Sequence, residues 1–347
     1  MKLTFRWYGE KDVIPLAHIR QIPLMSGVVT AVYGIPVGEV WPVESLKRLK
    51  SLCEKNGLMM EVIESIPVHE DIKTGGGKRE EYIHHYCKNL RAAAEIGVKC
   101  VCYNFMPVFD WLRTDLAYKN LDGSTALSYR TEEFKKLDPT NLHLPGWDES
   151  YSQDELQDLL KQYKNISREQ LRENLIYFLK QVIPVCEEVG VKMAIHPDDP
   201  PWGIFGLPRI VSSEADLDVI FSAVPSSANG LTFCTGSFGA GRKNDLVNMA
   251  AKYAKQGRIH FAHLRNILWT DENDSFRETA HASACGSLDM AAIVAALIKN
   301  GFDGYVRPDH GRNIFGEGGK PGYGLYDRAL GAAYINGLFE MAKELAK

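Results

Sequence analysis

Four residues of types that commonly bind metal ions stand at comparable places in the second half of the chain. They are His196 after the apolar run VKMAI, Cys234 at the end of LTFC, His263 in HFAHL, and Asp309 in YVRPD. Two imidazoles, a thiolate and a carboxylate suit Zn²⁺, Fe²⁺, Co²⁺ or Mn²⁺. One such residue alone is usually structural. The same placement after four successive apolar runs predicts that the side chains converge on a metal ion.

The string HFAHLRN holds two histidines, and strand geometry separates them. His260 and His263 are three positions apart, so their side chains point to opposite faces of a strand. His263 is nearer the end of the run, and we predict it as the ligand and His260 as a packing residue. By the same alternation, Arg307 and Asp309 share a face.

Polar and basic residues near these positions suit an anionic, polyhydroxylated ligand. An arginine can hold a carboxylate through two parallel hydrogen bonds. Any one of these residues alone is equally consistent with an ordinary surface position. The predicted substrate-binding residues are Arg6, Tyr8, Asn104, Asp198, Arg265, Asn266, Arg312 and Lys320.

A glycine-rich segment, GEGGKPGYG at 316–324, follows the last of the metal-binding positions. Glycine permits unusual backbone angles, so this segment can fold over the site and carry Lys320 and Tyr323 to it. A free tyrosine has a pKa near 10, and a neighbouring arginine or metal ion would lower that pKa for acid–base work. The spacing fits a packed loop aromatic equally well.

Short apolar runs that could position these residues alternate with amphipathic stretches of helical period. The predicted strands are 3–8, 27–33, 58–64, 98–104, 191–196, 231–235, 258–264 and 304–309. The predicted helices are 43–56, 79–96, 167–189, 213–223, 245–256, 288–300 and 327–346. Helices that end at a glycine just before a strand, as in NGLMMEV and VGVKMAI, are typical of repeating β/α units.

This alternation predicts one domain, residues 1–347, with the α/β fold of a TIM (β/α)8 barrel. An open, doubly wound sheet would be favoured by a glycine-rich dinucleotide motif after the first strand, where the sequence has none. Residues 105–166 form an insertion after strand 4 that is far longer than an ordinary connection. We expect it to carry short helices and to lie at the carboxyl-terminal face of the barrel, as a lid or a subunit contact.

Composition excludes several classes of protein. Of 347 residues, 45% are hydrophobic and 24% charged, which excludes wholesale disorder. A net charge of −4 gives no basic field for nucleic acid, and no apolar run reaches the roughly 18 residues of a membrane span. The seven cysteines form no CxxC pair and the first residues show no apolar signal segment, so we expect a reducing, cytoplasmic location.

Several strings together resemble the mannonate dehydratase family over nearly the whole chain. They are MKLTFRWYG at 1–9, AIHPDDPP at 194–201, FCTGS at 233–237, HFAHLRN at 260–266, GSLDM at 286–290, RPDHG at 307–311 and PGY at 321–323. The resemblance implies a TIM barrel that dehydrates D-mannonate to 2-keto-3-deoxy-D-gluconate in hexuronate (glucuronate) catabolism, with Mn²⁺ or Fe²⁺. It places the family's metal ligands on His196, Cys234, His263 and Asp309.

The reaction that this resemblance implies is a β-elimination, in which a proton leaves C2 and hydroxide leaves C3. One group must take the C2 proton and another must protonate the leaving hydroxyl. We expect Tyr323 and Asp309 in these roles, in an order left open, with His310 as a third candidate. Arg265 and Arg312 are expected to hold the substrate carboxylate.

Two other functions stay open at this point. A metal-dependent sugar isomerase or epimerase on the same barrel would conserve water, and such sites often carry more carboxylate ligands. A non-catalytic sensor of sugar acids, or a scaffold stabilised by zinc, would have a closed metal site. We expect no nucleic-acid or membrane partner, and the sequence neither establishes nor excludes a homo-oligomer.

Overall fold

Eight parallel strands close into a barrel. The computed structural model describes residues 1–140, 152–270 and 274–345. The barrel strands neighbour one another in chain order, and the last pairs with the first. They are β1 (Lys2–Arg6), β2 (Gly27–Thr30), β3 (Met59–Glu64), β4 (Cys100–Tyr103), β7 (Lys192–Ile195), β8 (Asn229–Cys234), β9 (Ile259–Leu264) and β12 (Tyr305–Pro308). Each overlaps one predicted strand, and the TIM-barrel prediction is confirmed.

Helices follow the strands and pack on the outside of the barrel. The described helices are α1 (Leu16–Arg20), α2 (Val43–Lys55), α3 (Glu70–Thr74), α4 (Arg79–Glu95), α5 (Thr131–Phe134), α6 (Gln153–Tyr163), α7 (Arg168–Val189), α8 (Glu214–Ala223), α9 (Thr235–Ala240), α10 (Leu246–Lys255), α11 (Met290–Lys299) and α12 (Tyr326–Leu345). Local chemistry sets their ends: the Ser167 side chain accepts a hydrogen bond from the Gln170 amide at 3.1 Å, and Gly190 ends α7 with a left-handed φ of 70°. In the described part of the chain, no helix is both long and apolar enough to cross a bilayer.

The strands bury side chains on both faces, which explains why they are nearly continuous apolar runs. Inside the barrel, buried apolar side chains form one cluster, which contains Val29, Val62, Cys100, Cys102, Ala194 and Phe261. Cys100 and Cys102 thus behave as small hydrophobes. Alternate residues such as Val28 and Ile63 face the helices and belong to the larger outer core.

A second, antiparallel sheet, which was not predicted from the sequence, lies outside the barrel. Its strands, in the spatial order β10-β11-β6-β5, are β5 (Asp115–Lys119), β6 (Thr125–Tyr129), β10 (Ile267–Trp269) and β11 (Phe276–Glu278). The insertion after β4 thus supplies two strands as well as α5 and α6, and β6 pairs with β11 from the loop after β9. Residues 141–151 of the insertion lie outside the described residues, and its role as a lid and the single-domain division stay predictions.

A substitution at Gly27 in β2 tests how closely β2 and β3 pack against each other in the barrel. A Cβ atom at this position would lie 2.5 Å from the carbonyl oxygen of Met59 on β3. We expect Gly27→Ala to lower the free energy of unfolding by about 1–3 kcal/mol, because the clash is with backbone. Urea unfolding followed by circular dichroism measures this. The control is Gly77→Ala, since a methyl group at Gly77 would meet no atom within 4 Å; equal stability of both variants would contradict the expectation.

Candidate metal centre and active site

Three adjacent strand ends bring three of the predicted metal ligands together. His196 follows β7, Cys234 ends β8, and His263 lies near the end of β9. One ligand atom from each side chain lies within 4.8 Å of the other two, and Cys234 and His263 are buried. These strands are parallel neighbours, and their carboxyl ends lie at one edge of the barrel. Residues at equivalent positions of the three strand ends are therefore close in space.

The fourth predicted ligand, Asp309, lies beside this group. It follows β12, and its Oδ2 is 3.5 Å from the Sγ of Cys234. The carboxylate pairs with Arg307 Nη1 at 2.7 Å and with Arg265 Nε at 3.0 Å. Burial alone would raise the pKa of Asp309, but the surrounding cations, Arg307 first, hold it well below its usual range. Asp309 is therefore a carboxylate.

The other histidine of β9 lies apart from the group. A methyl group on Gly230 would lie 2.1 Å from His260 Nε2, so this imidazole packs directly against the β8 backbone. Burial, the charge of Lys192 and that of Arg258 lower the pKa of His260 to about 3. His260 is a neutral packing residue, in agreement with the strand alternation.

Glu64 belongs to the same cluster, and the sequence analysis did not identify it. One ligand atom from each of Glu64, Cys102 and His263 lies within 4.8 Å of the other two. Glu64 Oε2 is 3.4 Å from His263 Nε2, and Arg307 Nη2 donates to Glu64 Oε1 at 2.9 Å. Glu64 is the last residue of a predicted strand, and this position at a strand end is the signal in the sequence that marks it.

The electrostatics of the cluster favour a thiolate. Burial alone would raise the pKa of Cys234, but Arg265 and hydrogen bonds with His196 and His263 hold it well below its usual range. Burial alone would lower the pKa of His196, but its hydrogen bond to Cys234 and the charges of Cys234 and Asp309 raise it to about 9. Thiolate is the form of cysteine that binds metal ions, and a metal ion would replace the proton on His196.

This donor set fits a divalent metal ion. His263 Nε2 and Glu64 Oε2 are buried 3.4 Å apart, and neither makes a hydrogen bond of good geometry among the described atoms. Orphaned polar atoms in a protein interior are costly, and a shared cation would satisfy both. His196, Cys234, His263 and Asp309, with Glu64 nearby, are the residues that could hold it.

Two of the predicted proton-transfer residues form a pair. The Tyr323 hydroxyl lies 2.8 Å from His310 Nε2, and their rings meet edge to face with centroids 4.8 Å apart. Burial and the neighbouring Tyr8 raise the pKa of Tyr323 well above 10, although Arg307 opposes this shift. The lowering that we expected from a nearby arginine is therefore outweighed in the metal-free chain, and Tyr323 is a neutral phenol there.

Arg265 lies in a buried ion-pair cluster, which we call the arginine cluster: Arg113, Arg265, Asp199 and Glu278. Arg265 pairs with Asp199 at 2.8 Å and with Glu278. Arg113, from the insertion, pairs with the same two carboxylates at 2.8 and 2.9 Å. Both guanidiniums are fully buried. Because these carboxylates, Asp309 and Ser237 occupy the Arg265 guanidinium, the structure gives no support to its predicted contact with a substrate carboxylate.

Three predicted substrate-binding residues lie next to Tyr323. The Tyr8 ring meets the Tyr323 ring edge to face with centroids 5.1 Å apart. The Arg6 guanidinium lies 4.6 Å and the Lys320 ammonium 4.2 Å from the centre of the Tyr8 ring. Two cations and two phenols thus gather at one side of the strand ends, and they can bind an anionic, hydroxylated molecule.

The other predicted substrate-binding residues already have protein partners. Asn104 accepts from the Met106 amide at 3.3 Å, and Asp198 accepts from the Val211 amide at 2.7 Å and the Ser212 hydroxyl at 2.9 Å. Asn266 donates to the carbonyls of Ala282 and Leu288 and accepts from two backbone amides. Arg312 pairs with Asp327 at 2.9 Å and with Asp122 at 2.8 Å. These contacts brace loops, and the predicted roles in substrate binding stay predictions.

The fold and this arrangement define the class of the protein: a TIM-barrel enzyme with a charged centre at the carboxyl ends of its strands. The model of the D-mannonate dehydratase (UxuA) family matches residues 1–347. The chain is 53% identical to a mannonate dehydratase of Thermotoga maritima and 50% identical to one of Streptococcus uberis, with full coverage of this chain and at least 99% of each relative. The crystal structure of mannonate dehydratase from Streptococcus suis serotype 2 superposes with a TM-score of 0.93 at 47% identity, over 100% of this chain and 96% of that chain.

The chain belongs to the D-mannonate dehydratase family, a family of hydro-lyases. The resemblance identified from the sequence is confirmed. Membership favours a dehydratase over the isomerase or epimerase and over the non-catalytic sensor that the sequence left open.

Glu278 makes the stability of the metal-free chain depend on pH in acid. Burial alone would raise its pKa, but Arg265, the hydrogen bond with His310 and Arg113 lower it from 4.5 to about 2. A lowered folded-state pKa gives stability that is complete above about 4.5 and is lost as the pH falls towards 2. The wild-type free energy of unfolding should therefore fall more steeply between pH 4.5 and 2.5 than that of Glu278→Gln. Urea titrations at a series of pH values measure both slopes; parallel slopes would contradict this.

Proposed function

We propose that this chain dehydrates D-mannonate to 2-keto-3-deoxy-D-gluconate with a bound Mn²⁺ or Fe²⁺, in hexuronate (glucuronate) catabolism. The observation that carries the proposal is the convergence of His196, Cys234 and His263 within 4.8 Å, in a chain of the D-mannonate dehydratase family. We also propose a cytoplasmic location, which is supported by seven free cysteines. Assembly into a homo-oligomer stays a hypothesis.

The elimination removes a weakly acidic proton from C2 and hydroxide from C3. A divalent ion in this site supplies Lewis-acid stabilisation of the negative charge that develops on substrate oxygens. The protein must bind the substrate carboxylate, accept the C2 proton and deliver a proton to the leaving hydroxyl.

We assign proton transfer to Tyr323 and His310. The hydrogen bond between them connects the phenol to an imidazole, which can accept a proton at Nε2. Asp309, the other candidate for the same task, is held ionised by Arg307 and Arg265 and is better suited to bind a metal ion. The order of the acid and base steps is left open.

The substrate carboxylate fits best beside Arg6 and Lys320. Arg6 donates a long hydrogen bond to the Val29 carbonyl, at 3.4 Å, and contacts Tyr33, whereas Arg265 and Arg312 are each paired with two or more carboxylates. Lys320 is exposed and belongs to the glycine-rich segment that also carries Tyr323. Both cations flank Tyr8, so a carboxylate held between them would place the rest of a sugar acid near Tyr323.

The first test is an anaerobic assay of metal-stripped protein with D-mannonate. We expect no product without metal, and a 2-keto-3-deoxy acid after reconstitution with Mn²⁺ or Fe²⁺, detected by its chromogenic reaction. If folded protein that binds these ions makes no product from D-mannonate, the proposed substrate is wrong.

The proposed ligands are tested by a matched pair of histidine variants on β9. His263→Asn should lose tight binding of Mn²⁺ and nearly all turnover, because it removes an imidazole from the ligand group. His260→Asn, on the opposite face of the same strand, should retain the metal. Metal content after dialysis and turnover per folded chain are measured for both; loss of metal from both variants alike would contradict the assignment.

Tyr323→Phe removes only the hydroxyl that lies against His310. We expect turnover to fall by about 100-fold or more, the range of general acid–base catalysis, with metal content and thermal stability unchanged. Near-normal turnover would exclude Tyr323 from proton transfer.

A further inference from the structure

The second sheet places the buried carboxylate of Glu278 beside the Nδ1 atom of His310. Glu278 ends β11, its side chain is fully buried, and its Oε1 lies 3.3 Å from His310 Nδ1. The other ring nitrogen of His310 faces the Tyr323 hydroxyl at 2.8 Å. The three side chains therefore form a chain of hydrogen bonds from a carboxylate through an imidazole to a phenol.

Two arginines fix the charge state of Glu278. Arg113 Nη2 donates to Glu278 Oε1 at 2.9 Å, and Arg265 Nη1 donates to the same oxygen. A guanidinium only donates hydrogen bonds, so this oxygen accepts from both arginines, and their two positive charges favour the carboxylate form of the side chain. A carboxylate in turn requires a proton on His310 Nδ1, which leaves the lone pair of Nε2 to accept from Tyr323.

We propose that Glu278 is a positioning residue for the proposed dehydration: it fixes the ring of His310 with Nε2 towards Tyr323. The inference rests on the proposed function. As the Tyr323 oxygen takes a proton from the substrate, its own hydroxyl proton passes to His310 Nε2. The resulting imidazolium lies beside the Glu278 carboxylate, which stays ionised throughout. In the return step, His310 Nε2 gives its proton back to the Tyr323 oxygen while the Tyr323 hydroxyl passes a proton to the C3 hydroxyl of the substrate, which leaves as water; His310 is then neutral and Tyr323 is again a hydroxyl. This arrangement follows the logic of serine-histidine-aspartate triads, with a phenol as the hydroxyl.

A competing explanation is that Glu278 is buried only because it neutralises the charges of Arg113 and Arg265. Asp199 provides the control, because it pairs with the same two guanidiniums at 2.8 Å, and its carboxylate makes no hydrogen bond to His310 among those described. Asp199→Asn and Glu278→Gln thus each remove one negative charge from the arginine cluster. Only the second removes the carboxylate that is hydrogen-bonded to His310 Nδ1.

The test compares the steady-state kinetics of these two variants, each corrected for folded and metal-loaded protein. We expect Glu278→Gln to lower kcat by about 100-fold, the lower end of a general acid–base contribution, with KM changed by less than about threefold. Asp199→Asn should lower kcat by less than about tenfold. A purely structural role would lower both variants alike or change KM as much as kcat, and either result would overturn the proposal.

A charge-balanced variant covers the case in which Glu278→Gln folds poorly. Adding Arg113→Met removes one positive charge with a side chain of similar length, and such replacements of buried ion pairs are often well tolerated. The double variant should recover thermal stability while kcat stays low. Recovery of kcat together with stability would overturn the proposal. Failure of the proposed function is distinguishable, because the wild-type protein would then make no product in the same assay.

Discussion

The burial of three arginines is the constraint on which the rest of the site depends. Arg113, Arg265 and Arg307 are each at most 1% exposed, and an unpaired charge in a protein interior costs several kcal/mol. Carboxylates must therefore lie beside them. Their partners are Glu64 from β3, Asp199 from the loop after β7, Glu278 from β11, and Asp309 after β12. Segments far apart in the chain are tied to one centre by these pairs.

The same constraint explains why the insertion lies over the strand ends. Arg113 belongs to the insertion, and both of its carboxylate partners belong to loops at the carboxyl-terminal edge of the barrel. The pairing of β6 with β11 holds these segments in register, and the Trp111 ring lies 5.7 Å from that of His310. An arginine and a small sheet thereby connect the insertion to the residues that we propose for proton transfer.

Charge at the centre also sets the chemical state of its ligands. Arg265 stabilises both the Cys234 thiolate and the Asp309 carboxylate, so these two residues have their metal-binding protonation states before any metal binds, whereas His196 does not. Strongly shifted pKa values of this kind gather at functional sites, where burial and neighbouring charges hold reactive groups in the ionisation states that the chemistry needs. The hydrophobic barrel beneath, from Val29 to Phe261, supplies the low-dielectric surroundings in which these pairs are strong.

The sequence by itself determined the barrel and the edge at which the site forms. Alternation of buried strands and amphipathic helices has few packing solutions, and equal placement after consecutive strands is enough to bring His196, Cys234 and His263 together. Only the tertiary structure decided the rest. Glu278 lies in a short strand with no apolar period, and its pairing with Arg113 spans 165 residues, so no local pattern marks it. Asn266 and Arg265 show a second limit: residue type predicted ligand contacts, but the direction of each side chain depends on neighbours from other segments, and in the structure these two side chains contact backbone groups and carboxylates.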